Sequence, residues 1–252
     1  MLKNIPINDA AAMLLEQAAV PARETVPLFA AQGRVLAADV RARINVPGFD
    51  RSPYDGYALR GEDTASASEE SPVVLRITEE LPAGTAPSVP VTPGTAAKIL
   101  TGAPIPPGAN AVVKYEDTDF TAGTVSIKKP VRPDTDIVRA GEDIAEGTLI
   151  AAAGTVITPP LAGLMAGQGM AEAEVFRRPR VFVMSTGSEL LDPGESYAPA
   201  KIYNSNVFTI SAYLSAMGAE CVSGGSVPDE PEAIASRIAA AAEEYDLVVT
   251  TG

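Results

Sequence analysis

The stretch RVFVMSTGSEL, Arg180 to Leu190, is an apolar run that breaks into a turn of hydroxyls, a glycine and a carboxylate. Val181 to Met184 lacks the alternation of a half-solvated strand, so it reads as a strand buried on both faces. Downstream, Asn206 to Met217 reads as a helix, Glu220 to Ser223 as a strand, Pro231 to Tyr245 as a helix and Leu247 to Thr250 as a third strand. Strands alternating with helices of this length are βαβ units, and their strands form a parallel sheet. The third strand runs into Thr251-Gly252, where a parallel sheet should turn into its next loop and helix. The chain is therefore expected to be a piece of a longer protein.

Upstream, Arg177 to Arg180 is a polar, proline-containing joint and the main expected domain boundary. Before it, Thr158 with Pro159 behind it is the signature of a helix start, and that helix should run to Gly167 or Gly169. From Asn45 to about Pro133, prolines and glycines recur around short β-prone runs: Val73 to Thr78, Ala96 to Thr101, Ala111 to Tyr115 and Thr124 to Lys128. That spacing describes a small all-β unit. The acidic, Ser-rich stretch Asp63 to Glu70 reads as a solvated loop. Near the start, Asn8 is the expected N-cap of a helix over Ala10 to Ala19, ended by Val20-Pro21. A short helix around Leu28 to Gln32 and a strand from Val35 to Arg43 should follow.

Composition removes whole chemistries. Of the 252 residues, 46% are hydrophobic and 20% charged, which is enough to bury a core. With 19 basic and 32 acidic residues the formal charge is -13, a surface that repels DNA and anionic lipid, so neither nucleic acid nor membrane is an expected partner. There is no His and a single Cys, Cys221. A Ser-His-Asp triad, a Cys-His dyad, a His/Cys zinc site and a disulfide framework are all excluded within this chain. Met1 to Leu15 is neither a signal peptide nor a membrane span, and the expected location is the cytoplasm. No phosphate-binding glycine fingerprint is present. Chemistry falls to carboxylates, hydroxyls, Lys and Arg, backbone amides, or a metal held by oxygen.

Several short turns carry such groups, and each has a plain structural reading beside the functional one. Ser185, Thr186, Gly187, Ser188 and Glu189 follow the first parallel strand, where ligands bind in such sheets. Hydroxyls and amides there suit phosphate oxygens and Glu189 suits a cation, but an ordinary strand-to-helix turn looks the same. Asp229 with Glu232 fits a helix capping box, and spacing alone favours the cap. Asn204 and Ser205 are equally N-cap candidates for the next helix. Asp55-Gly56 is a standard hairpin-turn pair. The loop from Leu100 to Ala109 and the turn Arg139 to Asp143 are commonly structural.

In order, FDRSPYDGYA (Phe49 to Ala58), KILTGAPIPPGANAVVKYED (Lys98 to Asp117), VRAGEDI (Val138 to Ile144), PRVFVMSTGSEL (Pro179 to Leu190), KIYNSN (Lys201 to Asn206) and SVPDEPEA (Ser226 to Ala233) resemble one family. It is the molybdopterin molybdenumtransferases, which comprise the bacterial MoeA proteins and the E domain of gephyrin and its plant counterparts. The resemblance implies a multi-domain α/β homodimer of L shape. Its discontinuous α+β first domain, the dimerisation domain, would take residues 1–45 and 140–176. A β-rich domain, 46–139, would be inserted in it, and 177–252 would be part of a doubly wound, molybdopterin-binding-like α/β domain.

The implied activity is insertion of molybdate into adenylylated molybdopterin with release of AMP, dependent on Mg2+. A molybdopterin adenylyltransferase is the implied upstream partner. Matched by motif, the catalytic positions are Asp55, Thr101, Asp143, Glu189 and Asp229, with Glu189 and Asp229 as metal ligands. Ser185, Thr186, Gly187, Ser188, Asn204 and Ser205 would bind the substrate. The implied cleft lies between subunits, one giving Glu189 and Asp229 and the other Asp55, Thr101 and Asp143. A bound cation reconciles an acidic site with anionic substrates, since two like charges at 4 Å repel by about 4 kcal/mol at an effective dielectric near 20. Lys98, Lys114, Arg139 and Lys201 lie near the motifs as further neutralising groups.

The chain departs from the family pattern at Arg51 to Tyr54, where Asn-Ser-Ala-Met is usual, and at Ser188, where an acidic residue is common. The family's glycine loop with a further acidic residue, and its fourth, β-rich domain, are also not in the sequence. The alternatives are a non-catalytic scaffold or regulatory paralogue, and a homologue that inserts tungstate.

Overall fold

The computed structural model describes residues 5–251; Met1 to Asn4 and Gly252, which the first and last expected domains include, lie outside the described residues. The chain divides into two compact units, one from Val40 to Ala151 and the other joining the residues up to Asp39 with those from Ala152 onward.

The first of these is built on a six-stranded sheet. Its strands lie in the order Ala111–Lys114, Gly56–Leu59, Thr95–Ile99, Val73–Leu81, Thr124–Ile127 and Thr118–Phe120. Neighbours are antiparallel except Val73–Leu81 and Thr95–Ile99, which run parallel with a register shift between Ile77 and Glu80. Every residue of Gly56–Leu59 is buried. Tyr57 and Leu59 pack with Leu75, Val113 and Val125 on one face, while Ala58 packs with Leu81, Ile99 and Val112 on the other. Burial on both faces explains why these strands read as short apolar runs rather than alternating ones.

Asp55-Gly56 is not a hairpin turn. Gly56 opens a strand paired to Lys114, and a Cβ there would meet the Val113 carbonyl oxygen at 2.0 Å. The glycine answers a close approach of backbones rather than a turn. The stretch Asp63 to Glu70 is not a plain solvated loop either. It begins in a 3-10 turn, Gly61–Thr64, whose buried Thr64 hydroxyl donates to the Gly61 carbonyl at 2.7 Å and accepts from the Val131 amide at 2.8 Å.

In the second unit, the helix Ile7–Gln17 starts one residue before Asn8, with Pro6 at the cap position and no side-chain capping bond. Leu28–Ala30 forms one 3-10 turn, and the expected strand from Val35 to Arg43 is not continuous. Val35 and Leu36 make only isolated bridges, and Val40–Arg41, which begins the β-rich unit, is a separate two-residue strand. Between them the chain bends at Asp39, whose carboxylate accepts from the Ala153 amide at 3.0 Å. Thr158 does cap the helix Pro159–Gly167, its hydroxyl accepting from the Leu161 amide. Arg23–Pro27 pairs antiparallel with Glu172–Phe176.

From Arg180 onward the reading as parallel α/β holds. The strand Arg180–Thr186 lies between Glu220–Val227 and Leu247–Thr251, parallel to both. The helix Asn206–Ala216 covers Val181 and Val183 through Val207, Ile210 and Leu214. The helix Pro231–Ala242 covers Phe182 and Met184 through Ile234, Ile238 and Ala241. Each face of the central strand thus has its own helix, which is double winding. Burying side chains of this size stabilises by about 1.5–3 kcal/mol each. The joint before the sheet is fastened by Arg177, whose guanidinium grips Asp246 through bonds of 2.8 and 2.9 Å. No helix among the described residues is long and apolar enough to cross a membrane.

Candidate functional site

The β-rich unit brings Asp55 and Thr101 together. The segment from Asp50 to Asp55 is laced to the loop after Thr95–Ile99: Ser52 donates its amide to the Ala103 carbonyl at 3.0 Å and accepts from the Gly102 amide at 2.8 Å, and Ile105 donates to the Asp50 carbonyl at 2.9 Å. The Ser52 hydroxyl, fully buried, donates to the Tyr54 carbonyl and closes the turn on itself. On this frame one Asp55 oxygen accepts from the Thr101 amide at 2.7 Å and from its hydroxyl at 2.8 Å. The amide first, then the hydroxyl, hold the Asp55 carboxyl below the usual aspartate range, so it stays ionised.

Asp143 sits on the turn that follows Arg139. That turn is tied to the same frame, because Asp50 accepts from the Ala140 amide at 2.8 Å and pairs with the Arg139 guanidinium. The Asp143 amide donates to Val46 at 3.0 Å, and its side chain is exposed without joining the Asp55–Thr101 contact. Asp50 itself was not singled out by sequence. Its partners lie about ninety positions away, and nothing local marks it.

Of the four cations near the motifs, three are engaged. Lys98 pairs with Glu80 at 3.0 Å, Arg139 with Asp50 and Asp134, and Lys201 donates to the Ser188 carbonyl. Lys114 differs. Its ammonium lies 3.9 Å from the centre of the Tyr54 ring, with no carboxylate in ion-pair reach among the described residues.

In the other unit, Glu189 and Asp229 follow adjacent parallel strands at their carboxyl ends, where Thr186 is in register with Val227. The backbone beneath Glu189 is fixed by Gly187, whose amide donates to the Val227 carbonyl at 3.0 Å. Gly187 has a φ of 151°, and the Glu189 carboxylate oxygens lie 2.8 and 2.9 Å from where its Cβ would stand. The Glu189 side chain folds over Gly187, whose positive φ is a conformation that favours glycine. Ser185 is buried and donates to Asn204 Oδ1 at 3.0 Å, while Asn204 Nδ2 is buried without a partner among the described residues. Asn204 Oδ1 also lies 3.5 Å from the Val207 amide at the start of the helix, whereas Ser205 occupies the cap position without a side-chain bond. Thr186 ends the strand, and Gly187 and Ser188 form the turn from it to Glu189.

Asp229 is not the cap of its helix. Glu230 holds that position and no side chain caps it, so the capping-box reading of Asp229 with Glu232 falls. Among the described residues no three carboxylates or thiols gather into a ready-made cage. Two carboxylates at one sheet end suit Mg2+, which keeps several waters and takes only one or two protein carboxylates beside substrate phosphates.

Comparison with known proteins gives a consistent result. Residues 5–169 match the family model described as "MoeA N-terminal region (domain I and II)", and residues 182–252 match one described as "Probable molybdopterin binding domain". The chain is 42% identical over 228 residues to molybdopterin molybdenumtransferase 2 of Mycobacterium tuberculosis, covering 90% of this chain and 56% of that protein. It is 35% identical over 252 residues to the molybdopterin molybdenumtransferase of Bacillus subtilis, covering 98% and 59%. A crystal structure of the molybdopterin biosynthesis MoeA protein from Pyrococcus horikoshii OT3 superposes with a TM-score of 0.90 at 35% identity, covering 99% of this chain and 67% of that one. The chain thus spans less than two thirds of the length of these curated relatives.

Proposed function

The chain belongs to the MoeA family, and from that membership we propose that it acts in molybdenum cofactor biosynthesis, as the part of a molybdopterin molybdenumtransferase that inserts molybdate into adenylylated molybdopterin and releases AMP. The observation that carries the reading is the position of Glu189 and Asp229 at the carboxyl ends of adjacent parallel strands, where such sheets receive ligands. The match of that segment to a molybdopterin-binding model supports it.

In this reading Glu189 and Asp229 would hold Mg2+, which would supply Lewis-acid polarisation and charge neutralisation to the anionic substrate. The absence of a side chain at Gly187 leaves room for the Glu189 carboxylate over the loop. Ser185 keeps the strand end polar, with buried Asn204 behind it holding both the Ser185 hydroxyl and the start of the next helix in place under the substrate loop. Thr186, Ser188 and Ser205 line the same approach. Asp55, clamped by Thr101, supplies a fixed charge, and Asp143 adds a second, both from the partner subunit of a homodimer. Lys114 offsets part of that charge against the anionic substrate. The division of the larger unit at Arg177, the inserted domain at 46–139, supply of substrate by an adenylyltransferase, and a cytoplasmic location belong to the same proposal.

The test is AMP release from adenylylated molybdopterin by the protein as encoded by its gene, with and without Mg2+, and with molybdate, tungstate or neither. Release that needs both Mg2+ and an oxyanion, and that falls by orders of magnitude in Glu189→Gln, is expected. Release by neither oxyanion would favour the non-catalytic scaffold; release with tungstate alone would reassign the oxyanion.

A further inference from the structure

Asp50 joins three segments of the β-rich unit, although it carries none of the charges assigned to the reaction. It precedes Asp55 on the same stretch of chain. Its carbonyl accepts from the Ile105 amide at 2.9 Å, in the loop that begins at Thr101. One carboxylate oxygen accepts from the Ala140 amide at 2.8 Å, and the other pairs with the Arg139 guanidinium. One residue thus ties the segment of Asp55 to the loop of Thr101 and to the turn of Asp143.

The turn from Arg139 to Asp143 is anchored differently at its two ends. Its far end rests on backbone: Gly141 donates to the Pro47 carbonyl at 2.9 Å and Asp143 to the Val46 carbonyl at 3.0 Å. Its near end rests on side chains. Asp50 receives the Ala140 amide, and the two arms of the Arg139 guanidinium reach Asp50 and Asp134. Asp134 is fixed in turn by its amide, which donates to the Asn110 carbonyl at 2.7 Å. The Ala140 amide first, opposed in part by burial, and then Arg139 hold the Asp50 carboxyl below the usual aspartate range, so the clasp is charged.

This clasp is a poor device for stability. The side chains of Asp50 and Arg139 stay 35% and 48% exposed, and exposed ion pairs add little to folding free energy. Geometry is what it fixes, because a planar guanidinium shared between two segments is satisfied by few placements of its own turn. With two carboxylates on it, Arg139 also has no charge left to offer an anion.

We infer that Asp50 is a positioning residue for the proposed reaction: through Ala140 and Arg139 it fixes where Asp143 stands relative to Asp55. The inference rests on the reading of Asp143 as a fixed charge in that reaction, and a readout that needs no substrate separates the two.

The experiment measures AMP release and amide hydrogen exchange on the protein as encoded by its gene. Asp50→Ala should lower kcat about tenfold, in keeping with the sensitivity of catalysis to small misplacements. Added to Asp143→Asn, it should lower the residual kcat by no more than about twofold, because its effect passes through a carboxylate already gone. Asp50→Asn keeps an oxygen for the Ala140 amide and should fall between Asp50→Ala and wild type; it also carries the double-variant comparison if Asp50→Ala does not fold. The melting temperature should hardly move in either variant. Exchange in Asp50→Ala should quicken several-fold at Gly141 and Asp143, whose acceptors are Pro47 and Val46, and stay as in wild type at Thr101, which is held by Asp55. Equal losses of kcat with and without Asp143→Asn would overturn the inference, as would unchanged exchange at Gly141 and Asp143. If the wild type releases no AMP, the proposed reaction falls, and exchange at those two amides alone decides whether Asp50 positions the turn.

Discussion

Gly56→Ala tests how closely the fold and the Asp55–Thr101 contact depend on one missing methyl group. A Cβ at Gly56 would lie 2.0 Å from the Val113 carbonyl oxygen, 2.8 Å from its carbon and 3.1 Å from Lys114 Cα. Ordinary contact begins at 3.4 Å, so the deficit against the oxygen is 3.4 minus 2.0, or 1.4 Å. All three atoms are backbone, and no rotamer change relieves them. Ala111–Lys114 would have to part from Gly56–Leu59 at the Gly56–Lys114 pairing. Overpacking costs about 1–3 kcal/mol and each ladder hydrogen bond lost adds about 1 kcal/mol, for a total of roughly 3–4 kcal/mol. At roughly 2–4 °C per kcal/mol for a chain of this size, the transition should fall by about 10 °C. Gly123→Ala is the control, since no atom lies within 4 Å of its Cβ and it has no positive φ. Removing unfolded-state freedom there should be neutral or stabilise by up to about 1 kcal/mol. Circular-dichroism melts of wild type and both variants give the comparison. A Gly56→Ala melt that coincides with wild type would refute the close-approach argument, and with it the reason given for a glycine between Asp55 and Tyr57.

Asp229→Asn should leave the melting temperature unchanged, because the side chain caps nothing, while AMP release falls if the carboxylate holds the cation; intact release at every Mg2+ concentration would remove Asp229 from the site. Asp246 is held below the usual aspartate value of 3.8 by Arg177 and then by the Arg180 amide, so its folded pKa lies under its unfolded one. Its stabilising contribution is therefore present above about pH 4 and lost as pH falls further, and Asp246→Asn should flatten the acid limb of melting temperature against pH. Lys114→Met should raise KM for the anionic substrate several-fold and reduce the dependence of KM on salt, with kcat little changed. Ser52→Ala should cost about 1–2 kcal/mol in a denaturant melt, since it strips a buried hydroxyl bonded to the Tyr54 backbone.

What was legible in the sequence is what local periodicity and local chemistry encode. The parallel strands and helices after Arg180 could be read because each element has one kind of neighbour: apolar strands inside and amphipathic helices outside. Thr158 with Pro159 was legible because capping involves only three residues. The failures share a cause. Asp55-Gly56 looked like a turn because the residue that excludes a side chain at Gly56 is Val113, fifty-seven positions away. Asp229 looked like a cap because a capping box and a ligand carboxylate use the same residue at the same offset, and only the helix start at Pro231 decides against it. Asp50 carries no local signal, because its partners Arg139 and Ala140 reach it from about ninety positions away. Ser52 bonds Tyr54 only two residues on, but the pinning of its backbone by Gly102 and Ala103 comes from a loop some fifty positions away.

The electrostatics of the Asp55 region follow from which cations are left over. On a chain of charge -13, basic groups near a carboxylate cluster are expected to pair, and Lys98, Arg139 and Lys201 all have oxygen partners. Lys114 rests on the face of Tyr54 instead. A ring quadrupole attracts an ammonium without cancelling its charge, so the cation is positioned and yet free to act on an anion, as a carboxylate partner would not allow. The aromatic ring of Tyr54 thus holds the Lys114 ammonium as a positive charge without a carboxylate partner among the described residues, beside a turn whose own carboxylate is held ionised. Tyr54→Phe should preserve that arrangement and Tyr54→Leu should release it, so substrate affinity should follow the ring and not the hydroxyl.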